Sequence, residues 1–181
     1  MFRSCRFRRS CTCPGEEHPG PTVGLGRGAP EIDAIEAQKN KLGDGGKVSQ
    51  SAQFAPFSHD YEYENATSDD YMIFDLSVTQ PNPYHGSAVQ QAVSALTDLP
   101  SDIFEGSGRS FYTFGFEYWT DPSRPEQGYI QWQANGNPSF RMGASAMAED
   151  PLPEGSDIGR RLIPEEPMVR RYNIHETFLT N

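Results

Sequence analysis

Lysine is nearly absent from this 181-residue chain, and no stretch of about 18 consecutive apolar residues occurs in it, so no segment reads as a membrane-spanning helix. Positive charge is scarce as well: 15 basic residues stand against 25 acidic ones, for a net charge of -10. Four of those basic residues, Arg3, Arg6, Arg8 and Arg9, crowd the first nine positions, which leaves residues 10–181 with 11 basic and 25 acidic side chains, a net -14. A body of that sign repels phosphate backbones, so no nucleic-acid partner is expected, and a neutral ligand suits it better. Cysteine is missing after position 13. Cys5, Cys11 and Cys13 lack a second Cys or His pair at metal spacing, so neither a metal site nor a cofactor is expected. They form either one disulfide with a thiol left over or three free thiols. The opening "MFRSCRFRRSCTC" lacks the apolar centre of a secretory signal, and no targeting signal is visible in the chain.

What remains is enough for one domain with a real core. Aromatic residues make up 12% of the chain, and its 17 Gly and 15 Pro punctuate it too often for long helices. Residues 1–30 are irregular, basic and Cys-containing, and the ordered domain is expected over 31–181. Apolar runs with strand character cover Glu31–Ala37, Lys47–Phe57, Tyr71–Val78, Ser110–Trp119, Gly128–Ala134 and Ser139–Met147. Turn clusters such as "GDGG", "QPNPYHG", "TDPSRPEQG" and "NGNP" separate them, which favours an all-β sandwich. Gly86–Leu96 is ambiguous, because Val89, Ala92, Val93 and Leu96 follow helical spacing. The tail is broken by Pro151, Pro153, Pro164 and Pro167 and reads as chain wrapping a surface. Asn65-Ala66-Thr67 fits the N-glycosylation acceptor pattern.

The stretch "GAPEIDAIEA" holds three acids within six residues, Glu31, Asp33 and Glu36. In a regular strand Glu31 and Asp33 share a face while Glu36 falls on the other, among core residues. A β-bulge reverses the parity beyond it, bringing Glu31, Asp33 and Glu36 to one face and turning Ile32, Ala34 and Ala37 inward. The Cα atoms of the two glutamates would then lie roughly 13 Å apart, from about four rises of ~3.3 Å. Side chains leaning toward each other can reach the carboxyl separation of about 5–5.5 Å that double displacement at a sugar carbon needs. Asp33 between them disfavours ionisation of its neighbours and helps keep one glutamate protonated. The competing reading of "ExDxxE" alone is a solvated acidic strand edge.

The blocks "SCTCPGEEHPGP", "GRGAPEIDAIEA", "VSQSAQFAPFS", "QQAVSALTDLP", "TFGFEYWTDP" with "GYIQW", and "RLIPEEPM" occur in this order. Together they resemble the fungal β-glucan synthesis-associated proteins, whose lumenal domain is similar to glycoside hydrolase family sixteen. The resemblance implies a concanavalin-like jelly-roll β-sandwich and a β-glucan polysaccharide or oligosaccharide as partner. The implied role is retaining glycosidase or transglycosylase in (1→6)-β-glucan biosynthesis during cell-wall assembly. On this carry-over Glu31 is the nucleophile, Asp33 the assisting carboxylate and Glu36 the general acid/base. Gly86–Leu96 becomes a strand, against its periodicity. Family members carry a cytoplasmic tail, a membrane span and a longer lumenal domain. This chain is therefore expected to be an internal slice of that domain, incomplete at both ends, and to belong to the lumenal side of the secretory pathway or plasma membrane. Missing strands would leave sheet edges unpaired and favour aggregation or a partner.

Because sugar rings stack on aromatic faces, Trp119 and Trp132, with Glu117 beside them, are the expected cleft wall. Tyr112, Phe114, Phe116 and Tyr118, on the opposite parity of the same strand, are expected in the core. A non-catalytic glucan-binding or assembly factor and an inactive fragment are the alternatives to an enzyme.

Overall fold

The computed structural model describes residues 10–11, 26–27, 30–54, 69–87, 90–104, 110–147, 160–165 and 168. Among the described residues twelve strands run in chain order: β1 (Ser10–Cys11), β2 (Gly26–Arg27), β3 (Pro30–Lys39), β4 (Gly46–Phe54), β5 (Tyr71–Ile73) and β6 (Thr79–Pro81). Then follow β7 (Gly86–Ser87), β8 (Gln90–Gln91), β9 (Val93–Leu99), β10 (Phe114–Trp119), β11 (Tyr129–Ala134) and β12 (Asn137–Gly143). The helical content among the described residues is two single 3-10 turns, Ser101–Ile103 and Pro125–Gln127.

Two four-stranded antiparallel sheets carry the architecture, with orders β3-β4-β9-β6 and β10-β11-β12-β5. Ala52, Phe54, Val93 and Ala95 of the first sheet meet Ile130, Trp132, Phe140 and Met142 of the second in one buried cluster. The all-β sandwich expected from the turn spacing is what forms. The chain crosses between sheets after β4, after β5 and after β9, a path compatible with a jelly roll.

Local chemistry explains where strands stop. Asn135-Gly136 closes β11 onto β12 with positive φ at both residues (51° and 79°), the left-handed pair that a two-residue hairpin demands. The run expected over Tyr71–Val78 ends at Ile73. Asp75 there accepts hydrogen bonds from the backbone N–H and the hydroxyl of Ser77, at 2.8 and 2.6 Å, which turns the chain before β6 begins. The expected Ser110 strand starts only at Phe114.

The described residues between Gly86 and Leu96 lie in the strands β7, β8 and β9 and the link at Ala92, not in the helix of their periodicity. Val93, Ala95, Thr97 and Leu99 of β9 are buried on the inner parity, while Leu96 is half-buried and Asp98 exposed on the outer one; the polar Thr97 inside and the apolar Leu96 outside blur the alternation in the sequence. In the tail, Arg161 and Ile163 are buried, and the Tyr118 hydroxyl donates to the carbonyl of Pro164. Residues 1–30 contain the short β1–β2 ladder, and β3 begins at Pro30. Cys5, Cys13 and Asn65-Ala66-Thr67 lie outside the described residues. Among the described residues no helix is long and apolar enough to cross a membrane, and no group of His, Cys, Asp or Glu is arranged to hold a metal ion.

Candidate functional site

The strand pairing of β3 breaks where the acids lie. Glu31 pairs with Gln53 and Asp33 with Ser51, but the next partner of β4, Ser49, is Glu36. Two residues of β3, Ala34 and Ile35, therefore oppose the single Gln50, which is a β-bulge. All three acids pair with odd-numbered residues of β4 and stand on one face. Ile32 is turned to the core and packs against it, as expected. Ala37, also on the inner parity, is exposed because β3 is an edge strand.

The face that carries the acids is the one opposite the core, since Gln50, Ala52 and Phe54 hold the inner parity of β4. Asp33 is fixed there. Its Oδ2 accepts hydrogen bonds from Ser51 Oγ at 2.8 Å and Gln53 Nε2 at 3.1 Å. Ser51 and Gln53 are buried, so this is a constructed polar patch and not a freely solvated strand edge. Sequence reasoning did not single out these two residues; the polar alternation Ser49, Ser51, Gln53 in "VSQSAQF" is the signal that points to them.

Both glutamates hold their protons above the ordinary value of 4.5. For Glu31 the causes are partial burial against the sheet and then the charge of Asp33. For Glu36 they are partial burial, Asp33, and in addition Glu31. Each side chain remains accessible to water, so the desolvation is incomplete and the neighbouring charges matter. The repulsion between Glu31 and Glu36 acts on both alike, so a first proton lost from the pair makes the second harder to lose.

The aromatic candidates are placed differently from expectation. Trp132 is fully buried and stacks on Phe140 with centroids 5.0 Å apart, so it is a core residue and not a cleft wall. Its Nε1–H donates to the backbone carbonyl of Asp33 at 2.9 Å, beneath the acids. Glu117 and Trp119 alternate with Tyr118, which packs on the core, and so face outward from the second sheet, away from the acids. There Glu117 accepts a hydrogen bond from the Tyr129 hydroxyl at 2.6 Å, Trp119 stacks on Tyr129 at 5.9 Å, and the Arg141 guanidinium lies 3.8 Å over the Tyr129 ring. Parity alone assigned these residues to a common face, but it could not say which side of the sandwich that face was on. Of the expected inner set, Tyr118 is packed, while Phe116 is 38% exposed because β10 is an edge strand.

The sequence model of the family described as "Beta-glucan synthesis-associated protein SKN1/KRE6/Sbg1" matches residues 5–178. Similar curated proteins include the beta-glucan synthesis-associated protein SKN1 of Candida albicans, 39% identical over 87% of this chain and 20% of its own length. KRE6 of the same organism is 37% identical over 91% of the chain and 21% of its length. KRE6 of Saccharomyces cerevisiae is 37% identical over 87% of the chain and 20% of its length. The chain thus spans about a fifth of the length of these relatives. No solved structure matches it.

Proposed function

Since the chain belongs to the family of beta-glucan synthesis-associated proteins, we propose that Glu31, Asp33 and Glu36 are the acids of a retaining glycosidase or transglycosylase acting on β-glucan in fungal cell-wall assembly. The observation that carries this is the register slip between Asp33 and Glu36, which sets all three carboxylates on one face. Glu31 attacks the anomeric carbon. As that bond forms, the glycosidic C–O bond breaks and Glu36 delivers its proton to the leaving oxygen. In the second half, water or a sugar hydroxyl gives its proton to the Glu36 carboxylate and displaces Glu31 from the same carbon. Asp33, held by Ser51 and Gln53, raises the proton affinity of both glutamates and stands between them. The proposed reaction belongs to the lumenal or extracellular side, where wall polymer is assembled.

The test is turnover of laminari- and gentio-oligosaccharides with the anomeric configuration of the product read by NMR. Glu36→Gln is expected to lower kcat by about two to four orders of magnitude. Glu31→Ala should lose turnover and, with azide and an activated glycoside, yield the azide of inverted configuration. Parent-like turnover in both variants would reject the assignment. Retention of the parent on immobilised β-glucan with no product formed would make this a binding protein instead.

A further inference from the structure

Two irregularities of register face each other across the sandwich. One is the bulge at Asp33–Glu36; the other lies between Trp132 and Gln133, where β11 pairs with β12. Two hydrogen bonds join them. Trp132 Nε1 donates to the Asp33 carbonyl at 2.9 Å, and Gln50 Nε2 donates to the Gln133 carbonyl at 3.3 Å. Gln50 is the residue of β4 that faces Ala34 and Ile35, the two residues of the bulge, and its Oε1 also accepts from Ser139 Oγ at 2.6 Å. Gln50 and Trp132 are both fully buried. In that setting a hydrogen bond that slips leaves a donor or acceptor without water to replace its partner, so each bond holds its backbone in place more firmly than it would at the surface.

We propose that Trp132 and Gln50 are positioning residues that clamp the bulge from the second sheet and so decide which face Glu36 occupies. The proposal rests on the reading of the acids given above. The argument is one of parity. If the bulge relaxed or moved past Glu36, that side chain would turn to the inner parity, where β4 presents Val48 and Gln50. Any such slip must displace the backbone next to the Asp33 carbonyl, to which Trp132 is bonded. Neither clamp residue reaches the acid face, since both project into the core, so their influence passes through the backbone of β3 and β4 alone.

The test uses the full chain without substrate, following the carboxyl titrations of Glu31 and Glu36 by NMR and amide exchange at Ala34, Ile35 and Glu36. Trp132→Phe keeps an aromatic ring against Phe140 and removes the donor. Replacing the Trp132 indole by benzothiophene does the same at nearly constant shape, should the first variant fail to fold. Gln50→Met removes the second tie. The expected result is a Glu36 titration displaced from that of the parent, since the side chain leaves the face it shares with Glu31 and Asp33, and exchange about tenfold faster at the bulge, the loss of one net hydrogen bond. Phe140→Leu, which thins the core under the same indole and spares both donors, is expected to lower the melting temperature and leave the titration in place. A parent-like Glu36 titration in the benzothiophene chain, or an equal shift in Phe140→Leu, overturns the proposal. No turnover enters this measurement. Absence of glucan chemistry in the parent would therefore strike the assignment of the acids and leave the clamp standing.

Discussion

Glu36 shows how a single side chain links stability to chemistry. Its proton affinity in the folded chain is raised, first by partial burial and then by Asp33 and Glu31. The native state consequently binds that proton more tightly than the unfolded state. The stabilisation this gives is complete below the ordinary value of 4.5 and is lost as the pH climbs through the raised value. Glu36→Gln removes the charge that causes the loss. Melting curves should show the variant more stable than the parent at pH 7, by a few tenths to about 1 kcal/mol as for like charges on one sheet face, with no advantage at pH 4. An advantage that persists at pH 4 would assign the effect to something other than the charge. The position of Glu36 was legible in the sequence because a regular strand would have driven an acid into the core, and one inserted residue removes that conflict. Trp132 was not legible in the same way: an indole on a strand satisfies the pattern of a core residue and of a sugar platform equally, and only the facing sheet distinguishes them.

At the scale of the element, two glycines of the second sheet have opposite roles. Gly115 in β10 lies on the outward parity beside Glu117, and a Cβ built there meets nothing within 4 Å. Gly143 in β12 runs so close to Asp69 that a Cβ would press into its backbone carbonyl. Gly115→Thr should raise stability by about 0.5–1 kcal/mol, through lower unfolded-state entropy and better strand propensity. Gly143→Ala should lower it by about 1–3 kcal/mol or more. Urea denaturation of both variants checks the pair, and equal effects would mean that the close approach at Asp69 yields freely. The strands themselves show what a pattern can carry. β11 alternates buried and half-buried residues from Tyr129 to Ala134 and announces itself, whereas β9 buries a polar Thr97 on its inner parity and carries an apolar Leu96 on its outer one, so its alternation is hidden in the sequence.

At the scale of the whole molecule, each large sheet ends, among the described residues, on two edges: β3 and β6 in the first, β10 and β5 in the second. Three are blunted: β3 by its bulge and acids, β6 by Pro81, and β5 by its three-residue length. β10 is six residues long, with Phe116 partly exposed, and is the edge least protected against pairing with another chain. A net charge of -10 opposes such pairing at a distance. Self-association measured by sedimentation should therefore increase as salt is raised from about 0.01 to 0.15 M, where the screening length shrinks from about 30 to 8 Å. A mass that falls with salt would point to charge-paired contacts instead.

The chain has only two tryptophans, and the sandwich separates them: Trp132 sealed inside against Phe140, Trp119 half-exposed on the outer face beside Tyr129. Indole emission shifts to longer wavelength in contact with water, so the two residues glow in different colours. The protein thus carries an intrinsic optical label on each side of its second sheet, one reporting the interior beneath the acids and the other the wet surface behind them.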